Sequence, residues 1–71
     1  MDKKELLRKI GRNICAERNR AEMTQEYLAE QVGINAKNLG KIERGESDVK
    51  ISNFIAIMEA LDVPFDALYR K

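Results

Sequence analysis

Two lysines four residues apart, Lys37 and Lys41, carry the clearest chemical signal in the chain, whose residues 1–71 read as one domain. Side chains at i and i+4 share a helix face, and the segment from Asn35 to Ile42 that holds them contains no acid. An ammonium on such a face donates to guanine O6 or N7, and its charge suits phosphate equally well. The plain alternative is simple solvent exposure. Arg44 follows, with the reach to touch the backbone of a duplex. Catalytic chemistry is poorly served. There is no histidine, Cys15 is alone, no glycine-rich phosphate loop occurs, and no two carboxylates pair on one face. Neither a general acid–base pair nor an activated nucleophile can be assembled, so no enzyme is expected. One cysteine and no histidine also exclude a zinc-type metal site, and no cofactor or small-molecule ligand is expected.

The stretch that must position these lysines runs from Thr24 to Gly45, TQEYLAEQVGINAKNLGKIERG. Thr24 suits an N-cap, because its hydroxyl can accept an orphan backbone N–H. Leu28, Ala29 and Val32 then give one apolar helical face. Gly33 stands where that helix must stop in the left-handed conformation, Ile34 plugs the turn, and Asn35 caps a second helix over Ala36–Arg44. Leu39 and Ile42 point one way; Ala36, Lys37, Gly40, Lys41 and Arg44 point the other. Gly45 closes the helix with the same device as Gly33. Two short helices joined by a tight glycine-containing turn make a helix-turn-helix, whose second helix enters the major groove of DNA. Tyr27 falls where a capping box would want glutamate, so no such box forms.

This stretch resembles the helix-turn-helix of the lambdoid phage repressor, Cro and Xre-like regulators. The likeness runs from about Ile10 to Leu68 and rests on T/S-Q-x-x-L-A-x-x-x-G, an apolar turn residue, and a helix ending I-E-R-G. It implies an all-α fold of five helices, lambda-repressor-like, with the motif at helices 2 and 3. It places Ala36, Lys37 and Lys41 toward the bases and Gln25 and Asn38 toward phosphate or the edge of the groove. It also pairs Arg18 of helix 1 with Glu43, a structural ion pair beneath the motif; without it, Glu43 would oppose the dipole of its own helix. Gly40 has two readings, a close approach of backbone to the groove or a weak helix residue. The expected partner is double-stranded DNA bearing an inverted-repeat operator, read by a homodimeric transcriptional regulator; the controller proteins of restriction-modification systems are one such free-standing type. A protein-interaction module on the same scaffold, antitoxin-like, is the alternative from another class. The departures are Val49 where proline is usual, Lys50 where a small polar cap is usual, and Asp62 where glycine is frequent. Asp48 is an alternative cap for helix 4.

Composition is consistent with a globular chain: 44% hydrophobic, 35% charged, net charge +1. That is not the basic balance typical of nucleic-acid binders, and Glu46 and Asp48 add acid beside the motif. Distribution matters more: seven of the thirteen Lys and Arg lie between Lys3 and Arg20, where they either form a solvated face or steer the chain toward phosphates. Leu6, Leu7, Ile10 and Ile14 recur at helical spacing, so helix 1 is expected from Asp2 to about Ala21. Alternatively it begins in earnest near Ile10, with residues 1–9 a looser extension. Gly11 within it costs about 1 kcal/mol relative to alanine or marks a close helix contact.

Helix 4 is expected over Ile51–Leu61 and helix 5 from Pro64. Their apolar faces exceed the needs of one small core, and Ile51, Ile55, Phe65 and Tyr69 are candidates for a twofold dimer interface, with intramolecular core the alternative for each. A domain this small holds only roughly 3–5 kcal/mol of its own stability, which favours self-association. The lone thiol fits a reducing, cytoplasmic compartment. No apolar run approaches the roughly 18 residues that span a bilayer, and no signal peptide is visible.

Overall fold

Asp2 starts the first helix, α1 (Lys3–Arg20), by accepting the Glu5 amide on Oδ1 at 2.7 Å, which satisfies one of the orphan donors of the first turn. The helix is continuous through Gly11, so the looser start near Ile10 does not occur. The computed structural model describes residues 1–69. Over that range α1 is followed by α2 (Gln25–Val32), α3 (Ala36–Glu43), α4 (Ile51–Leu61) and a single 3-10 turn, Phe65–Leu68, with no strand.

The expected fifth helix is therefore absent, and a 3-10 turn stands in its place. Its bonds reach back three residues and not four. The Ala67 amide donates to the Pro64 carbonyl at 3.1 Å and that of Tyr69 to Asp66 at 3.3 Å, the tighter i→i+3 pattern of short pieces. This tight turn still seats Leu68 in the core with no exposed surface.

Capping chemistry sets the other boundaries. Thr24 Oγ1 accepts the Tyr27 amide at 3.0 Å, and Asn35 Oδ1 accepts that of Asn38 at 2.7 Å. Gly33, at φ +88°, ends α2 in the left-handed region. Gly45, at φ +74°, follows α3. There the amides of Gly45 and Glu46 donate back to Ile42 and Lys41 at 3.0 and 2.9 Å, the paired bonds of a Schellman motif.

Asp48 does not cap α4. It lies too early, its Oδ1 accepts the adjacent Val49 amide at 2.9 Å, and its Oδ2 stands 3.5 Å from Lys3 Nζ. Lys50 takes the cap position without a side-chain bond. At the other end Asp62 adopts φ +56° where glycine would be easier.

The core is formed by Ile14, Leu28, Ala29, Leu39, Ile42, Phe54, Ile57, Leu61 and Leu68, with Ile10, Met23, Val32 and Ile34 packed around it. Each helix contributes the apolar face that its spacing defines. α1 packs against α3 and the 3-10 turn, and α2 against α3 and α4. No helix among the described residues is long and apolar enough to cross a membrane.

Candidate nucleic-acid interface

α3 is fixed from beneath and open above. Leu39 and Ile42 enter the core and Glu43 is buried, whereas Lys37, Asn38, Lys41 and Arg44 are exposed. Lys37 and Lys41 form no ion pair among the described residues, so both ammonium groups stand in solvent on one face. Ala36 is half-buried and leans on the edge of the core. Gly40 is buried despite lacking a side chain. A Cβ there would lie 3.1 Å from Arg44 Nη1 and 3.7 Å from the Gln25 amide, so those two groups lie over it.

What holds α3 in place is a buried polar network. Arg18 Nε donates to Glu43 Oε2 at 2.7 Å and Nη2 to Oε1 at 3.1 Å, and Nη1 donates to the Met23 carbonyl at 2.8 Å. The two side chains retain only 11% and 4% exposure. This two-pronged geometry belongs to a guanidinium and cannot be copied by lysine. The Glu43 hydrogen bond, against the opposing effect of burial, raises the Arg18 pKa above its ordinary value. Nη2 also lies 3.6 Å from Cys15 Sγ, so the lone thiol sits at the margin of this network.

Gln25 joins the same carboxylate. Its Nε2 donates to Glu43 Oε1 at 2.9 Å, a bond that sequence reasoning missed because no spacing rule relates the first turn of α2 to the last turn of α3. One amide N–H of Gln25 is thus turned inward, leaving the other N–H and the carbonyl for an outside partner. Arg44 is also engaged: its Nε and Nη2 donate to Glu46 at 3.0 and 3.3 Å. Asn38 uses its backbone amide in the α3 cap and keeps its side chain exposed.

The remaining candidates lie on another face. Ile51, Ile55, Phe65 and Tyr69 are exposed by 66%, 43%, 52% and 37%. The Phe65 ring meets those of Phe54 and Tyr69 edge-on, with centroids 5.4 and 5.3 Å away. With Leu6, Ile10 and Val49, Ile51 and these three rings line one apolar groove. Ile55 lies outside that groove.

A family described as Helix-turn-helix matches residues 16–68, which contain the capped turn, Arg18, Glu43 and both lysines. Control protein C.SmaI of Serratia marcescens is 37% identical over 71 residues, spanning all of this chain and 81% of that protein. The crystal structure of the restriction-modification controller protein C.AhdI from Aeromonas hydrophila has the same fold, with a TM-score of 0.90, at 29% identity over 97% of this chain and 100% of that one. The hypothetical transcription factor NHTF from Neisseria is similar at a TM-score of 0.85 and 26% identity, over 97% of this chain and 79% of its own. With an exposed helix capped at both ends, fixed from below and matched along most of its length, the chain belongs to the helix-turn-helix family of Xre and lambda-repressor-like DNA-binding transcriptional regulators.

Proposed function

We propose that the chain binds an inverted-repeat operator as a homodimer, with α3 of each copy in the major groove, and that it serves as the controller of a restriction-modification system in the cytoplasm. The observation that carries the groove assignment is the pair of unpaired, exposed lysines on a helix whose opposite face is locked by Arg18 and Glu43. Ala36, Lys37 and Lys41 face the bases; Gln25, Asn38 and Arg44 approach the phosphates. Controller identity is supported by the names of C.SmaI and C.AhdI and by likeness to both along nearly all of this chain. Selection of bound sites from random duplex DNA tests the operator: an inverted repeat is expected, with half-site centres about 34–36 Å apart. Recovery of no enriched sequence would overturn it.

Lys37→Ala and Lys41→Ala are each expected to cost about 1–3 kcal/mol on the selected operator and to relax preference at particular base pairs. An equal loss on every sequence would demote that lysine to a phosphate contact. Binding that ignores salt would favour the protein-interaction reading, since phosphate neutralisation gives a log–log slope of about −0.9 per contact.

The exposed Ile51, Ile55, Phe65 and Tyr69 support a second copy as the occupant of this face, because a domain of this size gains stability from burying large apolar side chains that it cannot cover itself. Phe65→Asp is expected to weaken self-association by about 2 kcal/mol or more, roughly thirtyfold in Kd, read by sedimentation velocity. An unchanged monomer–dimer profile would move the interface elsewhere.

A further inference from the structure

Arg44 and Glu46 stand at the end of the recognition helix, where the backbone keeps them within reach of each other. Glu46 is fixed by its backbone: its amide donates to the Lys41 carbonyl at 2.9 Å as the second bond of the Schellman motif. Gly45 before it is pressed against α1, where a Cβ would fall 2.7 Å from the Arg8 Cα. The Glu46 carboxylate then receives two hydrogen bonds from the Arg44 guanidinium, at 3.0 and 3.3 Å. Two planar oxygens accepting two guanidinium N–H groups is the geometry in which arginine binds phosphate. Lys41 lies near enough to join Arg44 in lowering the Glu46 pKa below the ordinary carboxylate value, the hydrogen bond from Arg44 being the largest cause. One carboxylate thus binds one cation assigned to DNA and feels the charge of a second. Arg44 also lies over Gly40, on the face of α3 that carries Lys41.

We propose that Glu46 is an internal phosphate mimic: it occupies the Arg44 guanidinium in the free protein, competes with the DNA backbone for it, and sets the regulator's affinity below what its cations could reach. The inference rests on the DNA-binding reading above. Both side chains are more than half exposed, at 57% and 56%, so the pair is a weak, exchangeable one that a phosphate can displace. Displacement leaves the Glu46 charge beside a polyanion, which lowers the net gain of each Arg44–phosphate contact. A regulator acting through its own concentration would use such a brake to place half-occupancy at a higher protein level.

The test is a fluorescence-anisotropy titration of a labelled random-sequence duplex over a range of salt concentrations. Glu46→Gln is expected to bind about fivefold more tightly than the natural chain at the lower salt, with a log–log slope more negative by up to about 0.9, because Arg44 then meets its phosphate without a competing carboxylate. Arg44→Ala alone is expected to change binding by less than about twofold, and in the Glu46→Gln background to erase the gain. Thermal unfolding of Glu46→Gln is expected to match the natural chain, because the backbone bond to Lys41 is kept. If the natural chain binds with a salt-dependent slope and Glu46→Gln leaves affinity and slope unchanged, the mimic is refuted while the DNA-binding reading stands. If Glu46→Gln binds more weakly, Glu46 orients Arg44 and the mimic is equally refuted. If neither protein binds duplex at any salt, both readings fail together.

Discussion

Replacing Arg18 with alanine is expected to destabilise the fold by about 3–5 kcal/mol, the range for removing one partner of a buried ion pair. The cost arises less from the lost attraction than from what remains. Glu43, with 4% of its side chain exposed, would keep a charge inside the protein with only the Gln25 amide to satisfy it, and the Met23 carbonyl would lose its donor. A domain of 71 residues holds only roughly 3–5 kcal/mol of stability on its own. The loss therefore consumes a large part of that. At about 4–8 °C per kcal/mol for a domain of this size, the melting temperature should fall by more than about 12 °C. The double variant Arg18→Met with Glu43→Leu separates causes. Replacing both charges by apolar groups of similar size is often neutral or better, so it should recover most of the stability. A melting temperature unchanged in Arg18→Ala, with DNA binding lost, would show that Arg18 acts at the DNA and does not hold α3.

The same network shows how far local sequence chemistry reaches. Thr24, Gly33, Asn35 and Gly45 each have a role dictated by the residues beside them, an oxygen for an orphan amide or a backbone without a Cβ. The helix-turn-helix boundaries were legible for that reason. Lys37 and Lys41 were legible because helical periodicity fixes their shared face. Arg18 and Glu43 are 25 residues apart, and no periodicity links them; only the family resemblance suggested the pair. The Gln25–Glu43 bond was not legible at all, because it depends on how the start of α2 meets the end of α3. Asp48 looked like a cap by composition, yet tertiary placement gave its carboxylate to Val49 and Lys3. The fifth helix was half legible: Pro64 suits a helix start, but the turn it opens at Phe65–Leu68 closes by i→i+3 bonds, a choice that residue types do not signal.

Gly11 is where two opposing sequence readings meet, and the sign of one substitution decides between them. An interior helix glycine replaced by alanine gains about 1 kcal/mol from propensity alone when nothing is in the way. Here a Cβ would lie 2.4 Å from the Ile42 carbonyl oxygen, 2.5 Å from that of Glu43 and 2.8 Å from the Glu43 carbonyl carbon. These are backbone atoms of the last turn of α3, and no rotamer change moves them aside. Ordinary contact distances require a retreat of roughly 1 Å, which must be taken by α3 as a body, since its end is tied by the Schellman bonds and the Arg18–Glu43 pair. Overpacking of this kind typically costs 1–3 kcal/mol and sometimes more; with rigid backbone as the obstacle, about 3 kcal/mol or above is expected. The propensity gain leaves a net loss of about 2 kcal/mol or more. Gly40→Ala is the comparison, because the nearest neighbours of its Cβ would be the ends of the flexible Arg44 and Gln25 side chains. It should keep or raise the melting temperature. Gly11→Ala should lower that temperature by roughly 10 °C or more and weaken DNA binding by displacing Lys41 and Arg44 with the turn that carries them. A melting temperature that rises in Gly11→Ala would mean that α1 and α3 do not meet at this glycine, and that the recognition helix is not seated as described.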